Sequence, residues 1–253
     1  MSSKPTLIFV PGSWHTPEVW NKVTSLLEAQ QYKCILVTLP STTSNPSTTF
    51  FDDIKAVRDP IIEETTQGRN VIVVVWSYGG AVGCSAVKGL TSSANETSGR
   101  VIGIASMASG FGPSGVSFID GLGGKPPPSW KVDEESGFAV LVAEPRELFY
   151  HDLPVEEGNY WVGKLTKQAS RPLMNPEGGE HSYAGWKNVP CWYLATSADK
   201  AFPFEAQKYL VQMSKDQGGD ITVREVESSH SPMLSKPEET AKFIEEAAAA
   251  FAG

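Results

Sequence analysis

A chain of 253 residues, 40% of them apolar and 10% aromatic, can fold as one large α/β domain or two small ones and can bury a sizeable core. A net charge of −8 with no block of like charge excludes nucleic acid as a partner on electrostatic grounds. No apolar run approaches the roughly 18 residues that a membrane span needs, so no membrane partner is expected either.

The opening segment, "MSSKPTLIFV", holds one lysine and a four-residue apolar run. That is too short for a secretion leader and fits a first strand, Thr6–Val10, so a cytoplasmic protein is expected. Further strands are predicted at 33–38, 70–75, 101–106, 189–196 and 220–226. Helical patterns fall between most of them, at 18–30, 49–65, 78–90, 203–217 and 236–251, and Pro60 is expected to kink or shorten the second. Such alternation implies β-α-β units with right-handed crossovers, and so a parallel sheet covered on both faces.

The rhythm breaks between Ser109 and Val189. This stretch begins rich in glycine and proline, then shows helical patches in "GFAVLVAEPRELFYHD" and "VEEGNYWVGKLTKQAS". It is too long for a plain loop and too aromatic for disorder. It is read as a helical lid, residues 110–188, inserted into a core made of residues 1–109 and 189–253. The triplet Asn95-Glu96-Thr97 matches a glycosylation acceptor and, with no leader, is read as a chance match.

The third strand runs through Val71-Ile72-Val73-Val74-Val75 into Trp76, Ser77, Tyr78 and a glycine pair, where the helix begins. Ser77 therefore stands at a strand-to-helix turn with almost no loop, close to the first helical amides and the positive end of the helix dipole. A serine used there as a nucleophile needs a base, and the base needs an orienting carboxylate. Of the four histidines, His230 follows the last strand, whose loop meets the sheet edge that carries Ser77. Asp199 lies in the loop after the preceding strand and can orient the imidazole. Glu205 is the nearby competitor but falls inside the next helix pattern. The bland readings are a helix-capping Ser77, a solvated or capping Asp199 and an ordinary loop His230.

Four segments in this order resemble the α/β-hydrolase superfamily, and within it the compact branch of esterases, lactonases, C–C hydrolases and plant hydroxynitrile lyases. They are "LIFVPGSWHTPEVW", "VVVWSYGG", "ATSADKAFP" and "SSHSPMLSKPEE". The resemblance implies an α/β fold with a doubly wound, mostly parallel sheet and an inserted helical lid. It implies Ser77 as nucleophile, His230 as base and Asp199 as acid, with the amides of Ser13 and Tyr78 as the oxyanion hole. Two positions depart from the family pattern. Val75 stands where the elbow commonly has glycine, and Pro11 where many relatives have histidine. One lyase subgroup has a lysine after the histidine and a threonine after the first strand. Here those positions are Ser231 and Gly12.

Trp14, His15 and Trp76 are candidates for the substrate pocket. The alternatives are core packing for the tryptophans and a backbone-satisfying role for His15. His151 reads as structural and His181 as exposed. Cys34, Cys84 and Cys191 are far apart in apolar stretches and read as reduced core thiols. Neither they nor the histidines show metal spacing, and no dinucleotide fingerprint follows a strand, so no metal and no cofactor are expected. The expected function is a serine-dependent carboxylic ester hydrolase or lactonase, acting through an acyl-enzyme on a small, largely apolar ester or lactone. A cofactor-free C–C hydrolase or lyase with the same triad, or a sensor without turnover, stays open. The expected partner is the small-molecule substrate, with a homodimer as the one assembly considered.

Overall fold

Every side chain of the run at 71–76 is buried, because this strand is covered on both faces. The computed structural model describes residues 4–92, 97–174 and 178–252; Asn95 and Glu96 of the acceptor triplet lie outside the described residues. In chain order its strands are β1 (Thr6–Val10), β2 (Cys34–Leu36), β3 (Val71–Trp76), β4 (Val101–Met107), β5 (Trp130–Asp133), β6 (Phe138–Leu141), β7 (Gln168–Ala169), β8 (Cys191–Thr196) and β9 (Ile221–Val226). Six of them form a sheet of order β2-β1-β3-β4-β8-β9, in which every neighbour pairs parallel. The chain order runs outward in both directions from the β1/β3 pair. That is the switch point at which loops diverge and open a crevice at the strands' carboxyl ends.

Alternate side chains of β3 pack on opposite layers. Val71, Val73 and Val75 meet α2 (Phe50–Thr66) and α3 (Gly79–Ala86) through Ile54, Val57, Ile61 and Val82. Ile72, Val74 and Trp76 meet α1 (Asn21–Ala29) and the last helix, Pro237–Ala252, through Val23, Leu27, Phe243 and Ile244. The second helix does not stop at Pro60. It runs 17 residues through it, its N-terminus held by a capping box between Thr49 and Asp52. Proline costs one helical hydrogen bond, and the buried stripe of Ile54, Val57 and Ile61 offsets that loss.

Residues 110–188 are not wholly helical. Helices Pro145–Phe149 and Val155–Gly163 fall inside the predicted patches, but Phe138–Leu141 pairs antiparallel with β5 and β7 in a three-stranded sheet. "FAVL" is aromatic and aliphatic, suited to a strand, and the helix begins only where Pro145 can take the first helical position. No described helix is long and apolar enough to cross a membrane.

Candidate active site

The turn after β3 is tight. Ser77 takes φ 54°, a left-handed conformation that costs a non-glycine residue energy and persists only where its surroundings hold it. Here its amide donates to Met107 O, and Ser109 Oγ donates to its carbonyl at 2.7 Å. Gly80 makes room for that contact, since a Cβ there would lie 1.8 Å from Ser109 Oγ. The bulk of Val75 is accommodated one turn into α3, where a Cβ on Gly83 would stand 2.4 Å from Val75 Cγ1. Gly83, rather than the glycine pair at 79–80, therefore makes up for the missing elbow glycine.

Ser77, His230 and Asp199 form one hydrogen-bonded line. Ser77 Oγ lies 2.9 Å from His230 Nε2, and His230 Nδ1 donates to Asp199 Oδ2 at 2.8 Å. The other oxygen of Asp199 accepts the amides of Ala201 and Phe202, both at 2.8 Å. The His230 carbonyl accepts from Trp76 Nε1 at 2.7 Å, and the imidazole is buried beside the Trp76 and Phe149 rings. Glu205 points away, exposed and paired with Lys208. His151 donates from Nε2 to Ala198 O, next to Asp199, so it braces that loop.

Ser13 and Tyr78 lie at the C-terminal ends of β1 and β3, beside Ser77. Neither amide donates to another group among the described residues. The Ser13 carbonyl accepts His15 Nδ1–H at 2.6 Å, and His15 Nε2 accepts the Tyr150 hydroxyl. Burial lowers the His15 pKa to about 3, so the ring stays neutral in that arrangement. The Tyr78 hydroxyl donates to Asp53 Oδ2 at 2.8 Å, and Asp53 Oδ1 accepts the Ser41 amide. Burial raises the Asp53 pKa to about 6 and lifts the Tyr78 phenol well above its usual range.

A cavity of about 500 Å³ opens onto Ser77 and His230. Residues 110–188 supply much of its apolar wall, including Phe111, Phe118, Trp130, Leu141 and Phe149. Trp14 also lines it, held by Nε1 donating to Ala139 O. His15 and Trp76 are corrections to the sequence reading. Both are buried behind the cavity and stack edge-on at 4.5 Å, where they support Ser13 and His230 instead of facing a ligand. His181 is exposed against Phe51. The three thiols are free, and burial pushes Cys34 and Cys84 up to about 12. Among the described residues no three His, Cys, Asp or Glu side chains converge as for a metal.

The sequence reading missed Asp53 and Gln207. Each has a legible signal, a polar residue on the buried stripe of a helix. Asp53 shares a face with Phe50, Ile54 and Val57, and Gln207 with Val211 and Ser214.

A model of the alpha/beta hydrolase family matches residues 7–243, and the chain belongs to that family. Alpha/beta hydrolase nvfD of Aspergillus novofumigatus is 28% identical over 97% of this chain and 97% of its own length. Norfluorocurarine synthase 2 of Strychnos nux-vomica is 28% identical over 95% of this chain and 94% of its own. Among solved structures, polyneuridine aldehyde esterase superposes with a TM-score of 0.75 at 20% identity, covering 96% of this chain and 99% of that one. Tomato methylketone synthase I, complexed with 2-tridecanone, gives 0.76 at 17% identity, covering 98% and 99%.

Proposed function

We propose that this alpha/beta hydrolase is a serine-dependent carboxylic ester hydrolase or lactonase that acts on a largely apolar, uncharged substrate through an acyl-enzyme. The observation that carries the reading is the Ser77–His230–Asp199 line at 2.9 and 2.8 Å, opening onto an apolar cavity. The name of one similar structure, polyneuridine aldehyde esterase, agrees with ester cleavage.

In this mechanism Ser77 Oγ attacks the carbonyl carbon while His230 Nε2 takes its proton. Asp199 keeps the imidazole in the Nδ1–H tautomer and stabilises the imidazolium that forms. The carbonyl π electrons move onto oxygen, where the amides of Ser13 and Tyr78 donate; such donors are worth about 3 kcal/mol each. Collapse of the intermediate expels the alcohol, which takes the proton from His230. Water then repeats the sequence and releases the acid and free Ser77. The insertion 110–188 serves as the lid that supplies the apolar wall. No Lys or Arg lines the cavity among the described residues, so a carboxylate in the substrate would leave water with no cationic side chain to meet it.

The lyase subgroup's lysine and threonine are absent here; Ser231, which is buried, and Gly12 stand in their places. The test is labelling with a fluorophosphonate, read by intact mass, beside hydrolysis of p-nitrophenyl acetate. One adduct on Ser77 is expected, and Ser77→Ala should lose turnover at least about a thousandfold. Cyanide release from mandelonitrile that depends on Ser77 and His230, without ester hydrolysis, would sink the reading.

A further inference from the structure

A second ring of polar side chains lies behind the line just described, and none of its members lines the cavity except Ser109. Gln207, on the helix Phe204–Asp216, is fully buried, as are Thr196 and Tyr193 on β8. The surroundings fix which end of the Gln207 amide points where. Oε1 faces the Thr196 amide at 3.1 Å, a group that can only donate. Nε2 faces the Phe202 carbonyl at 2.7 Å, a group that can only accept. A flipped amide would set donor against donor and acceptor against acceptor.

With the amide fixed, the remaining protons follow. The second Nε2 hydrogen goes to Thr196 Oγ1 at 2.9 Å, with Asp199 Oδ2 also within 3.2 Å. Thr196 Oγ1, having accepted that hydrogen, donates its own to Asp199 Oδ2 at 2.9 Å. This is the oxygen that holds His230 Nδ1. Asp199 Oδ2 is thus located from three sides, and two of them depend on Gln207. The far end of Gln207 approaches the Tyr193 hydroxyl at 3.2 Å. That hydroxyl accepts the Ser109 amide and donates to the Ser109 carbonyl, and Ser109 Oγ holds the Ser77 carbonyl. The chain of contacts therefore begins and ends on Ser77.

We infer that Gln207 is a positioning residue, which fixes Asp199 through Thr196 so that its Oδ2 meets His230, and that the Thr196–Gln207 pair acts as one unit. The inference rests on the serine-hydrolase reading, because positioning Asp199 matters only if His230 works as a base. Gln207 touches no substrate, so its loss should fall on kcat and leave KM near its value.

The experiment measures kcat, KM and the rate of fluorophosphonate labelling for folded Gln207→Leu, Thr196→Val and the double variant, each checked by circular dichroism and thermal melting. Each single variant is expected to lower kcat about 10- to 100-fold with KM within about threefold, and labelling should slow in step. The double variant should be little worse than either single, since both remove one relay. Gln207→Glu keeps the shape if Leu fails to fold. Its carboxyl carries at most one hydrogen where the amide has two, so it cannot serve both the Phe202 carbonyl and Thr196 Oγ1, and kcat should fall as for Leu with KM held. Three results would overturn the inference: kcat within twofold of the parent in folded Gln207→Leu, the same in folded Gln207→Glu, or effects of the single variants that simply multiply. Ser77→Ala, measured alongside, separates the two levels. If it retains turnover the hydrolase reading falls. If it is dead while Gln207→Leu is unimpaired, only the positioning role falls.

Discussion

The two halves of the site are built by different means. The floor, carried by β1, β3, β8 and β9, holds its catalytic side chains by directional hydrogen bonds, and only the Ser13 and Tyr78 amides that face the cavity are left free among its described site groups. Asp199 alone accepts from two amides, a hydroxyl, a side-chain amide and an imidazole. The wall, residues 110–188, contains, among the described residues, strands of two to four residues and helices of three to nine. It meets the cavity mostly with aromatic and aliphatic carbon. Directional contacts place reacting atoms to within tenths of an ångström, whereas apolar contacts tolerate repacking. On the proposed reading the floor is the part that sets a reaction, and the wall the part that sets what enters.

The sharpest way to break the floor is to change one donor-acceptor pair without changing shape. Asp199→Asn offers His230 an amide, which favours the wrong tautomer. Turnover is expected to fall about 10³- to 10⁴-fold with the fold intact, as measured by initial rates on an activated ester. Glu205→Gln, on the solvent side of its helix, should stay within twofold; the reverse pattern would move the acid role to Glu205.

The next effect is smaller and reads in stability. Gly83→Ala places a methyl 2.4 Å from Val75 Cγ1 and should cost about 2 kcal/mol by denaturant titration. Val75→Ala removes that atom. The double variant should then be less destabilised than the sum of the singles by about 1 kcal/mol. Strict additivity would show that the two residues do not share one space.

On the wall, a charge placed among apolar side chains tests selectivity instead of rate. Leu141→Lys should lower the preference for an octanoate over an acetate ester about tenfold, read as a ratio of kcat/KM, which corresponds to about 1.4 kcal/mol. An unchanged ratio would take this wall out of substrate selection.

The same contrast explains what could be read from the sequence. Five strands of the main sheet are apolar runs or alternations of five to seven residues, and their ends set the loops of Ser77, Asp199 and His230 on one sheet edge, so the line of three was legible from order alone. The insertion was not, because short strands such as Phe138–Leu141 share their apolar pattern with short helices. His15 was left undecided because its role depends on Tyr150, 135 residues away, which the local sequence does not reveal. Gln207 and Asp53 were legible only as polar breaks in buried stripes, a signal weaker than the stripes themselves.

The last effect nearly cancels in the parent, because it comes from two buried groups on opposite sides of the elbow whose contributions pH separates. Asp53 has its pKa raised to about 6 by burial, and no cationic side chain bonds to it among the described residues. Folding favours its neutral form, so its stabilising share is complete below the unfolded value near 4 and is lost as pH rises through about 6. His15 has its pKa lowered to about 3, also by burial. Folding favours its neutral form too, but for a base the sign reverses. Its share is complete above about 6.5 and is lost as pH falls toward 3. Between about pH 4 and 6.5 the two slopes oppose, and the parent's melting temperature should change little there. Asp53→Asn removes one slope, so the variant should lose a few degrees on acidification from pH 7 to 4.5. His15→Gln removes the other, and that variant should gain a few degrees over the same interval, each shift reflecting on the order of 2 kcal/mol. Melting curves of the three proteins across the interval decide it. Parallel curves would show that neither group titrates with folding, and that the Tyr78–Asp53 and His15–Tyr150 pairs brace the two sides of the elbow without regard to pH.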